Sequence, residues 1–463
     1  MDDAILQSHW FEKYKNVAAQ IKKTAEIELV AAGFNTNIDA VVKISGKQIS
    51  ALAKQFSLSL ADVQNCQTVL DSPKSVVCGI IKCFINGIAE EWLTDKQSVD
   101  KWIEEIIGAD KLQMGGQAGI IANALALTDT QKIAVNTASH PKILSGLFIE
   151  SEKLQATDES GKLVPACKIN RAQDVPPVHR IIEFDKGDVL VLEGREYICP
   201  KSNRFIATYD PLNAKMQINE GFKTYLLNNG FDYFIIAGYN LLSGGDGLIA
   251  AQKSAELLHE LKKKNGIMHL EIASTQDKKI RAYMMEKIAP LCDSIGLNER
   301  ETLDVLEVIL PDDWQKIKNI PLNAENLFEA VIKIKKQTKV KRIQLHFFGL
   351  YICVQDKNYK FSATQSLNGM LCAAAVAASK ASLGYLQNKQ DLLASLEKNR
   401  AKICFSEIIK LSEHIKSNAI LNSGITEYDG YDIIAVPTLL VENPKTLVGM
   451  GDTISSLSLV CAR

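Results

Sequence analysis

The sequence predicts an α/β protein with a doubly wound, mostly parallel sheet and a second, smaller sheet. After Phe231, short apolar runs alternate regularly with amphipathic segments, as strands and helices do in such a fold. Between residues 164 and 209, strand-like runs separated by turn residues instead indicate antiparallel hairpins. Doubly wound sheets bind ligands beyond the carboxyl ends of their strands. Polar motifs at those strand ends are therefore the candidates for a functional site.

Composition narrows the possible partners. The chain has 463 residues, of which 46% are hydrophobic and 23% charged, and its formal net charge is -1. These values are typical of a globular protein with a sizeable core, and they give no overall attraction to nucleic acid or to an anionic membrane. The ten cysteines include no C-x-x-C pair, and the amino terminus lacks a signal-peptide pattern. We expect a cytoplasmic protein with reduced cysteines.

The first polar motif follows a strand predicted at residues 27–33. Asn35, Asn37 and Asp39 alternate along the chain, so in an extended segment their side chains share one face. Three short polar groups on one face can bind several hydroxyl groups of a sugar. An Asx-rich turn explains the same residues equally well.

A second motif, Gly115-Gly116-Gln117, opens a helix of small and apolar residues. Glycine lets a ligand approach the backbone closely, and Gln117 offers one hydrogen-bond donor and one acceptor. Close packing of this helix on a sheet is the structural alternative.

Two further motifs suit a divalent cation. His269 and Glu271 are two residues apart on a predicted strand and share its face, whereas Asn298 and Glu301 are three apart at a predicted helix start. Amide and carboxylate oxygens are ligands that Mg²⁺ accepts, directly or through water. A buried structural His–Glu pair is at least as common.

The last motif is a glycine-rich turn before the carboxyl-terminal helix. Gly449 and Gly451 flank a turn that is followed at once by Asp452. The free amides of a helix start bind anions, so the turn and Asp452 have the equipment for phosphoryl transfer. Taken alone, the motif is read more simply as a β-turn with an aspartate cap.

These motifs in this order resemble the ADP-dependent sugar kinases, which belong to the ribokinase-like superfamily and are best known from archaea. The resemblance extends from about residue 30 to residue 456. It implies a large ribokinase-like domain and a smaller α/β lid domain that closes over the sugar. It also implies that ADP is the phosphoryl donor, that Mg²⁺ or another divalent cation assists, and that the enzyme serves glycolysis.

The resemblance also implies roles for individual residues. Asp452 would be the general base, and the amides of Gly449–Asp452, with Gly449 and Gly451, would form the anion hole. The sugar would contact Asn35, Asn37, Asp39, Gly115, Gly116 and Gln117. The cation would be organised by Glu301, with Asn298, Glu271 and His269. The adenine pocket would contain His346, Tyr351, Val436 and Val448.

The implied domain division assigns two sets of segments. Residues 1–36, 110–165 and 231–463 form the large domain, and residues 37–109 and 166–230 form the lid.

The identity of the sugar depends on the lid. A glucokinase of this family grips a glucose hydroxyl with a lid carboxylate, but the corresponding helix, residues 74–84, contains no acid, and the first acids after it are Glu90 and Glu91. A phosphofructokinase needs cations for the 6-phosphate, and Arg204 and Lys168 are available. We therefore predict fructose 6-phosphate as substrate, with glucose or both sugars as the alternative. An ATP-dependent ribokinase-type enzyme and a sugar-binding protein without activity are lesser alternatives.

Overall fold

The computed structural model describes residues 3–273, 275–397, 402–446 and 448–463. Its strands are β1 Val30–Gly33, β2 Asn37–Lys43, β3 Glu90–Leu93, β4 Lys111–Gly115, β5 Ile133–Val135, β6 Leu154–Thr157, β7 Leu163–Pro165, β8 Val178–Phe184, β9 Val189–Leu192, β10 Arg195–Ile198, β11 Asn203–Tyr209, β12 Tyr233–Ile236, β13 Ile267–Glu271, β14 Ser294–Leu297, β15 Arg342–Phe347, β16 Leu350–Asp356, β17 Ile425–Tyr428 and β18 Tyr431–Pro437.

The helices are α1 Asp3–Lys15, α2 Val17–Lys23, α3 Gly46–Gln55, α4 Leu60–Asn65, α5 Pro73–Asn86, α6 Gln97–Ile106, α7 Gln117–Ala126, α8 Lys142–Ser145, α9 Glu220–Asn229, α10 Gly244–Leu261, α11 Lys278–Tyr283, α12 Glu299–Ile309, α13 Pro311–Ile317, α14 Ala324–Thr338, α15 Ala363–Leu383, α16 Ala394–Glu397, α17 Ser406–His414, α18 Asn418–Ser423 and α19 Met450–Val460. Among the described residues, every helix is too short or too polar to cross a bilayer. All ten cysteines are free thiols.

The large sheet confirms the predicted α/β fold. Its strand order is β17-β18-β16-β15-β14-β13-β12-β1-β5-β6-β7, and the strands from β15 to β6 pair in parallel. The pairs β15–β16, β16–β18, β17–β18 and β6–β7 are antiparallel, so both edges of the sheet reverse direction. The central strands are buried apolar runs, as expected for strands covered by helices on both faces.

The small sheet has the order β3-β11-β8-β2-β4. The strands predicted at 178–184 and 203–209 are present, and they pair with each other in antiparallel register. The hairpin β9–β10 lies between them in the chain and forms a separate two-stranded sheet. Because β2–β8 and β3–β11 are parallel, the small sheet is mixed rather than a set of simple hairpins. Its apolar core, which includes Trp92 and Phe205, is separate from that of the large sheet.

The predicted domain division differs from the structure at two places. Residues 110–165 were expected in the large domain, but β4 pairs with β2 in the small sheet. Residues 166–230 were expected in the lid, yet Phe222 of α9 packs edge-on against Phe234 of β12 in the large sheet. In both cases the strand pairing or the apolar contact, which joins distant parts of the chain, determines where the segment lies. The other boundaries remain predictions.

Two helices that pack closely together carry the carboxyl-terminal motif. At one end of their contact, a β-carbon on Gly369 of α15 would overlap the Ser458 carbonyl oxygen of α19. Glycine and the alanines of α15 therefore allow the two backbones to approach each other. This packing holds the start of α19, with Gly449 and Asp452, against the carboxyl-terminal end of α15.

Candidate active site

A cavity of about 170 Å³ is lined by residues that follow β1 and β12 in the large sheet and by strands of the small sheet. It brings together most of the side chains that the sequence predicts for the sugar and for the chemistry. These predicted residues line it: Asn35, Asn37, Asp39, Gly116, Gln117, Arg204, Val448, Gly449 and Asp452. The cavity is therefore the candidate active site.

The pair Asn37 and Asp39 forms its floor. Both lie on β2 and face the same side, as their alternation predicted, and Asn37 Nδ2 donates to Asp39 Oδ1 over 2.8 Å. Gly115 of β4 lies opposite Asn37, and a β-carbon there would overlap both polar side chains. Burial raises the pKa of Asp39, although His179 and Asn37 oppose that effect. Gly115 thus contributes space rather than a contact of its own.

Gln117 joins three parts of the site. Its backbone N–H donates to Asn35 Oδ1 over 3.1 Å, and its side-chain Oε1 accepts from the Gly238 N–H over 2.9 Å. Its Nε2 donates to Asp452 Oδ1 over 3.0 Å. Gly116 precedes it with a positive φ of 71°, which lets the chain turn from β4 into α7. One side chain therefore ties the sugar motif to the carboxyl-terminal motif.

The turn before α19 has the geometry of an anion site. Gly449 caps the helix in the left-handed conformation, with φ 61° and ψ 30°, and Asp452 lies in the first helical turn. The first amides of a helix have no partner within the helix, and the helix dipole adds positive potential there. Burial raises the pKa of Asp452, while Gln117 and Lys380 oppose the rise. A buried carboxylate beside free amides can accept a proton while the amides hold an anion.

Two more buried carboxylates lie near Asp452. Burial raises the pKa of Glu301 to about 8, and the charge of Asp452 adds to this rise. Burial also raises the pKa of Glu271 well above its usual value, and Glu301 and Asp452 add to it. Glu271 Oε2 lies 3.3 Å from His269 Nε2, and Glu271 Oε1 lies 3.7 Å from His346 Nε2. Asp452 raises the pKa of both glutamates and Glu301 raises that of Glu271, so a cation among these three carboxylates would be stabilised.

The predicted cation ligands do not converge into one direct coordination shell. Asn298 and Glu301 form a capping box, in which Asn298 Oδ1 accepts from the Glu301 N–H and Glu301 Oε2 accepts from the Asn298 N–H. His269 Nδ1 contacts Ser294 Oγ over 2.9 Å inside the core. Within the described part of the chain, no three His, Cys, Asp or Glu side chains form a group that could hold a metal directly. Asn298 and His269 thus make structural hydrogen bonds, and their part in organising a cation, directly or through water, stays a prediction.

The predicted adenine residues form a row across the large sheet. His346 of β15 lies opposite Tyr351 of β16, and Tyr351 lies opposite Val436 of β18. The row starts beside the glycine turn, since a β-carbon on Gly451 would come within 2.8 Å of His346 Nε2. Val448 is not on these strands, and it lines the cavity. The row leads away from the anion site along the sheet, which is a suitable direction for a nucleotide.

Lys168 does not belong to the site. Its ammonium pairs with Glu152, and the Lys168 side chain is 59% exposed and outside the cavity lining. The residue lies in a connection after β7, which the large sheet carries away from the cavity. The prediction that Lys168 binds a sugar phosphate is therefore wrong in this structure. Arg204, by contrast, lies on β11 and lines the cavity.

Six residues that line the cavity were not predicted as ligands, and two of them, His179 and Glu91, are titratable. His179 of β8 lies with Nε2 3.1 Å from Asp210 Oδ2 and with Nδ1 3.5 Å from Glu91 Oε1. Glu91 of β3 also accepts from Thr208 Oγ1 over 2.7 Å. A histidine within a predicted strand, Val178–Phe184, was the available signal for the first. Glu91 had no local signal, because only strand pairing brings β3 next to β11.

The acidic surroundings of His179 should make stability depend on pH. Burial lowers the pKa of His179, but Asp210, Glu91 and Asp39 outweigh it and raise the pKa to about 9. A raised folded-state pKa stabilises the fold fully below the usual value near 6.5 and loses that effect as pH rises through about 9. Compared with His179→Gln, the wild type should lose about 3 kcal/mol more unfolding free energy between pH 6 and pH 10. Urea unfolding at both pH values measures this.

The matched control is His259→Gln, which changes an exposed histidine of α10. This variant should follow the wild-type pH dependence. Equal pH dependence in the wild type and His179→Gln would contradict the assignment of a charged His179.

Comparison with known sequences gives a consistent result. The model of the family described as "ADP-specific Phosphofructokinase/Glucokinase conserved region" matches residues 28–461. An ADP-specific phosphofructokinase of Pyrococcus abyssi is 28% identical over 92% of this chain and 95% of its own length. An ADP-dependent glucose/glucosamine kinase of Pyrococcus furiosus is 26% identical over 97% of this chain and 98% of its own. The chain is thus similar to enzymes for both kinds of sugar.

Solved structures resemble the whole chain as well. A reconstructed last common ancestor of ADP-dependent phosphofructokinases from Methanosarcinales superposes with a TM-score of 0.82 at 27% identity, covering 100% of this chain and 99% of that one. An ADP-dependent kinase in complex with fructose-6-phosphate and ADPbetaS has a TM-score of 0.82 at 26% identity, covering 100% and 98%. Both sheets therefore have counterparts in these proteins.

Proposed function

The chain belongs to the ADP-specific phosphofructokinase/glucokinase family, and from this premise we propose that it transfers the β-phosphoryl group of ADP to fructose 6-phosphate, giving fructose 1,6-bisphosphate and AMP. The observation that carries the proposal is the contact between Gln117 and Asp452 inside a cavity that also contains Arg204. The cavity therefore contains a base, Asp452, beside the anion site of the glycine turn, and a cation, Arg204, for a sugar phosphate. The structural neighbour that binds fructose-6-phosphate and ADPbetaS supports both substrates.

In the proposed reaction, Asp452 accepts the proton of the attacking sugar hydroxyl. The hydroxyl oxygen forms a bond to the β-phosphorus, the bond from that phosphorus to the bridging oxygen breaks, and AMP leaves with that oxygen. The amides at the start of α19 hold the negative charge on the transferred group. Gln117 keeps the Asp452 carboxylate aimed at the sugar through its 3.0 Å hydrogen bond. The pKa of Asp452, raised by burial, suits a group that must take up a proton.

The carboxylates near Asp452 fit a divalent cation that keeps part of its water shell. Glu271 and Glu301 would hold it, since both are buried near Asp452 and the charge of Glu301 raises the pKa of Glu271. Mg²⁺ suits this set because it prefers oxygen ligands and retains several waters. When bound, such an ion neutralises charge on the donor phosphates.

We propose that the adenine binds along the row from His346 to Val436, with Val448 beside it. Tyr351 is 6% exposed and offers a flat apolar face at the middle of the row. The two phosphates of ADP would then extend from this row to the turn at Gly449. The expected cytoplasmic location remains a prediction.

Glucose is a second candidate substrate because Glu91 lines the cavity. The helix expected to carry a lid carboxylate has none, but β3 brings this acid to the same place. A carboxylate accepts hydrogen bonds from sugar hydroxyl groups and repels a phosphate, whereas the Arg204 guanidinium attracts a phosphate. The cavity thus contains one group for each substrate, and a bifunctional enzyme would use both.

Turnover of the two sugars with ADP tests the proposal. We expect activity on fructose 6-phosphate, and Arg204→Ala should lower kcat/KM for this sugar about 10- to 100-fold because a charge-assisted contact contributes about 1.5–3 kcal/mol. The same variant should change glucose turnover less than about 2-fold. Glu91→Gln should have the opposite pattern. Coupled detection of AMP measures all four combinations.

Each part of the proposal can be contradicted by a different result. Activity on glucose alone would replace the proposed substrate with the second candidate. An equal fall in kcat/KM for both sugars in Arg204→Ala would show that this arginine does not bind the sugar phosphate selectively. Activity with ATP but not ADP would reject the donor, and calorimetric sugar binding without turnover would indicate a binding protein.

A further inference from the structure

Lys380 lies near the end of α15 and contacts the turn before α19. Its Nζ donates to the Gly449 carbonyl oxygen over 2.9 Å and to Thr453 Oγ1 over 3.0 Å. The Thr453 hydroxyl also donates to the Gly449 carbonyl over 2.8 Å. The carbonyl of the turn is therefore held by three donors, because the Thr453 backbone N–H also donates to it over 3.3 Å.

The surroundings of this ammonium are unusual. In the described parts of the chain, no carboxylate oxygen lies within 4.0 Å of Lys380 Nζ. Burial lowers the pKa of Lys380 to about 8, while the more distant Asp452 and Asp39 oppose this effect. A cavity of about 710 Å³, also lined by Val448 and Thr453, reaches the lysine and allows water to solvate it. The lysine is thus a cation whose partners here are uncharged oxygens.

The charge of Lys380 has opposite effects on two helices. Lys380 lies in the last turn of α15, where a positive charge is favourable for the helix dipole. The same charge lies beside the amino terminus of α19, where it is unfavourable. Partial burial without a carboxylate partner adds a desolvation penalty. Helix stability alone therefore does not account for the contact of Lys380 with the turn.

The geometry of the peptide bond suggests what the lysine does. The peptide between Gly449 and Met450 is planar, so its carbonyl and its N–H point in opposite directions. Because Lys380 and Thr453 hold the Gly449 carbonyl, the Met450 N–H must point to the other side of the turn. Gly449 lines the candidate active site and Lys380 does not.

We propose that Lys380 is a positioning residue for phosphoryl transfer, which aims the amide of Met450 at the transferred group and adds positive potential behind the turn. This inference rests on the proposed function and deepens it. Lys380 acts through Gly449, and its own ammonium does not touch either substrate. Negative charge that gathers at the turn during transfer is stabilised both by the aimed amide and by the nearby cation.

Lys380→Met tests the inference. We expect kcat to fall about 10- to 100-fold, as for the loss of a single preorganised electrostatic contribution, while KM for ADP and for the sugar changes less than about 3-fold. The midpoint of thermal unfolding should stay within about 5 °C of the wild type, since the loss of a favourable charge at the end of α15 and of an unfavourable charge at the start of α19 offset each other. Hydrogen–deuterium exchange at the Thr453 amide, which donates to the Gly449 carbonyl, should be faster. Lys380→Arg should restore part of kcat.

The matched control is Lys389→Met, which removes an exposed lysine paired with Asp129. This control should retain wild-type kcat and exchange. Unchanged kcat, unchanged exchange at the Thr453 amide, or a fall of more than about 5 °C in the unfolding midpoint of Lys380→Met would each overturn the inference. If the wild type transfers no phosphoryl group from ADP to either sugar, the proposed function fails, and the exchange measurement still tests the hold on the turn.

Discussion

Replacing Asp452 with asparagine should lower kcat for phosphoryl transfer by about 10²- to 10⁴-fold, the usual contribution of a general base. Asparagine has nearly the same shape and can still contact Gln117, so the site should keep its geometry. It cannot accept the proton of the sugar hydroxyl. Because the Asp452 carboxylate is buried and its pKa is raised, the neutral side chain should not destabilise the fold. Steady-state kinetics and calorimetry of ADP binding measure the two parts of this result.

ADP affinity should change little, since the variant removes a negative charge from the vicinity of the donor phosphates. Asp246→Asn changes an exposed acid in the first turn of α10 and serves as the control, with wild-type kcat expected. A kcat within about 5-fold of the wild type in Asp452→Asn would remove Asp452 from its role as base. A parallel loss of ADP binding would place it in the nucleotide site instead.

Gly115→Ala should lower kcat/KM for the sugar by at least about 100-fold. The added methyl group would occupy the space of the Asp39 carboxylate and the Asn37 amide, which lie across the β2–β4 pair. Both side chains are buried and hydrogen-bonded to each other, so they must leave their positions or the strand pair must separate. ADP binding should be retained, because the row from His346 to Val436 lies in the large sheet. Sugar titrations and ADP calorimetry separate the two effects.

Gly146→Ala is the matched control for this substitution. A β-carbon on Gly146 would meet the Ile143 carbonyl oxygen at an ordinary 3.6 Å, and the residue has a helical φ of -67°. Its kinetics should equal those of the wild type. Wild-type sugar affinity in Gly115→Ala would mean that the Asn37–Asp39 pair does not bind the sugar.

The features that could be predicted from the sequence are those with a local physical cause. The strand Val178–Phe184 was recognisable from its apolar and β-branched run, and Gly449-x-Gly451-Asp452 was recognisable as a helix start with a tight turn. The alternation of Asn37 and Asp39 predicted their common face correctly. Such signals depend on neighbouring residues only, so strand pairing is not needed to read them.

The features that could not be predicted depend on contacts between distant segments. Glu91 enters the cavity because β3 pairs with β11, and Lys168 leaves it because its segment follows the edge of the large sheet. Lys380 carries the only charge in an otherwise polar-poor stretch of α15, residues 370–383, which was a usable but overlooked signal. The capping box of Asn298 and Glu301 could not be recognised from the sequence, because the Asn-x-x-Glu spacing is compatible with both a cation site and a helix start.

The two sheets divide the work of the site between separate stretches of the chain. Arg204, Glu91 and His179 lie on strands of the small sheet, whereas Asp452 and Gly449 begin a helix that packs on the large one. A protein engineer could therefore exchange β3 and β11 as cassettes to change which sugar is accepted, without touching the machinery that moves the phosphoryl group. The same separation would let sugar preference evolve through point substitutions in β3 and β11. Asp452 and the glycine turn could stay unchanged meanwhile.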